Sequence, residues 1–165
     1  MNLPDIIYTA FDKTLLPIVN LAAPRALYAR RLATEAKYFG QDKLEHLTLL
    51  LNIIHQRASS MTGHLSLMLA LCTYILRSPE GARNHPVLDF IVSIDAFVYI
   101  VLVLLTVRCL RSIGLNADYD TKEAYLIHNE EEVTIKYSIM QFVNSLTIVA
   151  TVFLVIGFIF FVSTA

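Results

Sequence analysis

The segment IMQFVNSLTIVATVFLVIGFIFFV, residues 139–162, holds twenty-four residues without a single charge. A run of this kind leaves few choices, since about 20 mainly apolar residues cross the ~30 Å hydrocarbon core of a bilayer as a helix. Lipid offers no hydrogen bonds, so every backbone N–H and C=O must be satisfied within the segment. Two further stretches approach the same description. Residues 87–107 carry only Asp89 and Asp95, and residues 61–76 lie between Arg57 and Arg77, whose long stems would have to snorkel toward the interfaces. Charged residues make up 16% of the chain and mean hydropathy is +0.58, against about 25% charged residues in soluble domains. The expectation is an all-α integral membrane helical bundle with three transmembrane helices, at about 61–77, 87–107 and 138–162. Two of these extend into the cytoplasm, and N-terminal amphipathic helices precede them.

Lysine and arginine placement sets orientation. Residues 1–57 carry Lys13, Arg25, Arg30, Arg31, Lys37, Lys43 and Arg57, and the linker 108–136 carries Arg108, Arg111, Lys122 and Lys136. The loop between the first two spans has only Arg77 and Arg83, and nothing basic follows the third. The reading is a cytoplasmic N-terminus, an outside C-terminus and a cytoplasmic linker 108–136, in a cell inner membrane. Asp5, Asp12 and Lys13 interrupt the N-terminus, which therefore lacks the pattern of a secretory signal.

Residues 1–41 read as cytoplasmic amphipathic helices and 42–165 as the membrane domain. Asp42 with Glu45 spells a capping box for a helix reaching Arg77, and Asn129 with Glu132 spells another for a helix reaching Phe161. At 1.5 Å per residue each helix would be on the order of 50 Å long, so each projects several turns beyond the bilayer. Within 3–39, two short helices are expected, the second opened by Pro24. Its Tyr28, Leu32, Ala36 and Phe39 share one side, with Arg30, Arg31 and Lys37 largely off it. Such a helix lies either on the anionic leaflet or against the helical stalks. Residues 112–128 read as a polar turn with Gly114, Asn116 and Asp118, then a short helix from Asp120.

Four residues form the first candidate surface. Ser59, Gly63, Ser66 and Ala70 are spaced four, three and four apart, making one ridge of small side chains that lets membrane helices approach closely. The partner is either another span of this chain or a second copy. Asp95 is the second candidate. It lies well inside its span, where a carboxylate costs about 3 kcal/mol even on lenient insertion scales. Opposite it, Gln141, Asn144, Ser145 and Thr151 make a polar stripe on the last span. Two readings stay open: a polar path or gate from His64 through Asn144 to Asp95, or a protonated, hydrogen-bonded aspartate that holds the bundle together.

Other patterns exclude more than they suggest. A net charge of −1 argues against a nucleic-acid partner. His46, His55 and His64 are nine residues apart, so His55 points away from the other two and they cannot share a metal. Cys72 and Cys109 fall toward opposite faces of the bilayer, too far apart to bridge. The acidic run 118–132 lacks the glycine and the twelfth-position acid of a calcium loop. It reads as a solvated face, or as a dock for the basic 25–37 helix. No phosphate-binding loop or nucleophile elbow occurs. The chain is expected not to be an enzyme and to need no cofactor or metal; its partners are the lipid bilayer and either its own copies or another membrane protein.

The order of QRASSMTGHLSLMLAL, a short outer loop, a second span followed by bases, an acidic linker and KYSIMQFVNSLTIVATVFLVIGFIF resembles the membrane domains of Pycsar-type bacterial antiphage effectors. The likeness covers roughly residues 50–161. Arg57, Ala58 and Ser59 match the basic-small entry to the first span, and Lys136 and Tyr137 the basic-aromatic entry to the last. It implies membrane disruption after oligomerisation. The functional expectation is a small multi-pass inner-membrane protein that self-associates into a pore or membrane-perturbing effector. The alternative is a non-catalytic accessory or scaffold subunit that recruits a partner through its cytoplasmic helices.

Overall fold

A computed structural model describes residues 3–39, 43–77, 86–111 and 121–164. Five helices run in chain order: α1 (Leu3–Ala22), α2 (Arg25–Phe39), α3 (Lys43–Arg77), α4 (Pro86–Leu110) and α5 (Lys122–Thr164). No strand occurs among the described residues. The helices α3, α4 and α5 are each long and apolar enough to cross a membrane, and the all-helical expectation holds.

The chain divides into two compact units. Unit 1 comprises Met1–Ala58 and Arg108–Phe142, and unit 2 comprises Ser59–Val107 and Val143–Ala165. Both α3 and α5 supply residues to each. Unit 2 is three helices packed along narrow seams. The buried positions on α4 include Leu88, Val92, Asp95, Tyr99, Leu102 and Thr106, alternating four and three apart. A mean repeat of 3.5 keeps one edge of a helix turned toward its neighbours, as in knobs-into-holes packing. The same rhythm buries Val143, Thr147, Ala150 and Leu154 on α5, and Leu65, Cys72 and Ile75 fall on the buried edge of α3. Phe90, Phe97, Leu67 and Phe153 point outward and are 59–67% exposed. Large apolar side chains outside and polar Asp95 and Thr147 inside suit a membrane protein, because exposed apolar surface on this scale is a liability in water.

Unit 1 buries Val19, Leu47, Ile54, Ala58, Val133 and Ile139. Burial on α5 broadens here: Asn129, all of 133–136 and all of 138–140 are buried. On α2, Tyr28 and Leu32 turn inward, and the Tyr28 ring lies 4.7 Å from that of Tyr137 on α5, tilted by 56°. They border a groove of about 180 Å³ together with Leu50, Ile53, Arg57 and Val133. For these two residues the stalk-packed alternative is the one observed; Arg31, Lys37, Ala36 and Phe39 lie outside the described side chains.

Helix starts differ from expectation in two places. α2 opens at Arg25, one residue after Pro24, where the Asn20 side chain accepts the Arg25 N–H at 3.0 Å. α5 opens at Lys122, so neither a separate short helix nor a cap at Asn129 exists. The cap is Thr121, whose hydroxyl oxygen accepts the Ala124 N–H at 3.2 Å. Asn129 is instead a buried seam residue, and tertiary packing overrides its local capping preference. The single helix of 43 residues is about 65 Å long. Asp42 and residues 112–120 lie outside the described residues, whereas Glu45 does stand in the first turn of α3.

Candidate functional site

Polar chemistry concentrates in two places, one in each unit. In unit 2, Asp95 is 6% exposed, and its Oδ2 has no hydrogen-bond partner among the described residues. One turn further along the seam, the Tyr99 hydroxyl meets the Thr151 hydroxyl at 3.4 Å, linking α4 to α5. The Thr147 hydroxyl is buried and likewise unpaired among the described residues.

The remaining residues of the expected polar path are placed differently. His64, Asn144 and Ser145 are exposed. Gln141, half-buried, belongs to unit 1, where its side-chain N–H donates to the Tyr137 hydroxyl at 3.4 Å. All four ridge residues, Ser59, Gly63, Ser66 and Ala70, are exposed as well. A Cβ built on Gly63 would meet no atom within 4 Å. The ridge therefore faces away from the chain's own helices.

The second place is a charged cluster in unit 1 that the sequence reading did not anticipate. Arg108, near the end of α4, is 6% exposed and grips Glu132 of α5 with two hydrogen bonds of 3.2 and 3.5 Å. One turn along α5, Lys136 is fully buried. Its Nζ lies 3.2 Å from His55 Nε2 on α3 and donates to the Arg111 carbonyl. Cys109 Sγ meets the Lys136 carbonyl at 3.6 Å. At the outer edge, Lys43 and Glu130 form a 2.7 Å salt bridge. Glu130 and Glu132 of the 118–132 run thus reach Lys43 and Arg108.

Burial pulls the Lys136 amine below the usual lysine range, partly opposed by the nearby Glu132 carboxylate. Burial, and then the charge of Lys136, push His55 below its ordinary 6.5, against a backbone hydrogen bond at Cys109. With Nε2 turned to the lysine, the other ring nitrogen is the one left for that backbone bond. Burial raises the Cys109 thiol to about 12, which makes it a poor nucleophile. The cluster acts as a polar clasp joining α3, the end of α4 and α5. Among the described residues, no group of three His, Cys, Asp or Glu side chains is placed to hold a metal.

A pH dependence follows from His55. Below 6.5 the unfolded chain binds a proton that folded His55 resists, so stability is full above 6.5 and falls as the pH drops toward the lowered native value. Lys136, lowered from 10.5, adds stability in the same direction as pH rises toward that value. Hydrogen-exchange protection factors across residues 43–58, taken against the intrinsic amide rate at each pH, should fall on acidification below 6.5, and His55→Gln should flatten the response. An unchanged slope in that variant would assign the effect elsewhere.

No family model, curated protein or solved structure matches the chain.

Proposed function

We propose that the chain is a multi-pass inner-membrane protein whose copies associate through Ser59, Gly63, Ser66 and Ala70 into a pore or membrane-perturbing assembly. The outward ridge carries this reading. Small residues on a membrane helix permit close approach, and at Gly63 nothing of this chain makes that approach. His64, Asn144 and Ser145 are exposed on apolar spans, where polar groups are costly until another helix or a water path meets them. A second copy supplies both. The resemblance to Pycsar-type effectors points the same way. The two basic segments, 1–58 and 108–142, belong to one unit, which supports a cytoplasmic N-terminus and an outside C-terminus.

Unit 1 favours a second reading. It is a body with its own ion pairs, more than three spans require, and an accessory subunit could present it to a partner. Native mass spectrometry of protein extracted in mild detergent separates the two. A discrete homo-oligomer that Gly63→Leu converts to monomer, with loss of membrane depolarisation on expression, is the expected result. The monomer itself should tolerate leucine there, since the space is open. An oligomeric pore that survives Gly63→Leu would end the ridge reading. A stoichiometric second protein, released by deleting residues 1–39, would establish the scaffold.

A further inference from the structure

The corner between α1 and α2 carries a feature that neither self-association nor partner recruitment requires. Residues 14–29, TLLPIVNLAAPRALYA, contain one charge, Arg25, although they belong to the unit read as lying outside the hydrocarbon. The last ten residues of α1, Lys13–Ala22, are apolar, and such a stretch either packs into a core or lies on an interface. Exposure decides between these. Val19 is buried, but Leu21 is 86%, Leu27 61% and Ile18 54% exposed, so most of the apolar surface at the corner is uncovered.

Two independent observations say what covers it. The first is depth. Ser138 donates its hydroxyl to the Ala23 carbonyl, and Ser138 immediately precedes the uncharged run 139–162. The hydrogen bond therefore holds the corner at the level where α5 enters hydrocarbon. The second is the backbone. Ala23 donates to the Val19 carbonyl at 2.7 Å, Pro24 has no N–H and its carbonyl accepts from Leu27 at 3.2 Å, and the Arg25 N–H goes to Asn20. A break between helices usually leaves such groups to water. Here they are satisfied internally, as irregular backbone at membrane depth requires.

We propose that the α1–α2 corner is a membrane-interface wedge: Ile18, Leu21 and Leu27 insert among the acyl chains of the leaflet where α5 enters, with Arg25 at the phosphate level. The proposal rests on the reading that α5 crosses a bilayer from residue 138 onward. Arginine beside a shallow apolar insertion matches an interfacial helix on phospholipid. The wedge ties the N-terminal helices of unit 1 to the lipid surface.

The chain contains no tryptophan, so one introduced at a time reports without background. Leu21→Trp, Leu27→Trp, Ile148→Trp on the exposed face of α5 and Tyr125→Trp would each be reconstituted into phosphatidylcholine–phosphatidylglycerol vesicles with brominated acyl chains. Tyr125 lies about 20 Å along α5 from Ser138 and serves as the water-side reference. The expected result is blue-shifted, strongly quenched emission for Leu21→Trp and Leu27→Trp. Bromine near the headgroup should quench them best, whereas Ile148→Trp responds to deep bromine and Tyr125→Trp to neither. Red, unquenched emission at both corner positions with Ile148→Trp still quenched would overturn the wedge and leave the membrane reading intact. Blue-shifted but unquenched corner emission would mean that protein covers the patch, which also overturns it. Loss of quenching at Ile148→Trp as well would overturn the membrane reading itself.

Discussion

Arg108→Met, with Glu132 left in place, should destabilise unit 1 by about 3–5 kcal/mol, because it strands a carboxylate in a desolvated site. The two side chains are 7% and 18% exposed, too sheltered for water to replace the lost partner. Arg108→Met combined with Glu132→Met should be far milder, anywhere from neutral to a gain of about 1–4 kcal/mol, since both desolvation penalties go together. Lys136 tempers that gain, as Glu132 also favours its charged form. Denaturant unfolding in detergent, followed by helical circular dichroism, measures both variants. If the single change proves as mild as the double, water reaches the pair and the clasp is weaker than its burial indicates.

Asp95→Leu should act in the opposite sense and stabilise the bundle by about 3 kcal/mol, the cost of placing a carboxyl group at mid-span. The reason lies in its surroundings: a seam position, 6% exposure and an Oδ2 with no hydrogen bond among the described residues. Asp95→Asn, close in size, separates the loss of charge from the change of volume. The same unfolding assay applies, run beside membrane depolarisation on expression. A variant that gains stability and loses depolarisation places Asp95 on the working polar interior of the assembly. A variant that loses stability would show instead that the aspartate holds the helices together.

The spans were legible because an uncharged run of twenty-four residues has one physical solution in lipid. Their seams were legible too, had the rhythm been carried far enough. Counting back from Leu154, Ala150, Thr147 and Val143 by threes and fours lands on Met140, Lys136, Val133 and Asn129, all buried. Thr134, Ile135, Ser138 and Ile139 among them are buried as well, so the count alone does not single out Lys136. Its pairing with His55, 81 positions away, has no local signal, since a long-range contact of two polar residues leaves no periodicity behind. The outward turn of the Ser59–Ala70 ridge was equally hidden. A small-residue stripe looks the same whichever neighbour it serves.

Unit 1 is discontinuous, and this imposes an order on its making. Residues 1–58 leave the ribosome before either of the first two spans is complete, yet their partners, 108–142, are translated after both. At about 5–20 residues per second the wait is on the order of ten seconds. Throughout it, His55 has no Lys136. The bilayer must accept α3 and α4 while the N-terminal segment is still unassembled. Closure of the clasp is thus a late event in biogenesis, and a chain stalled before residue 136 would be inserted but unlatched.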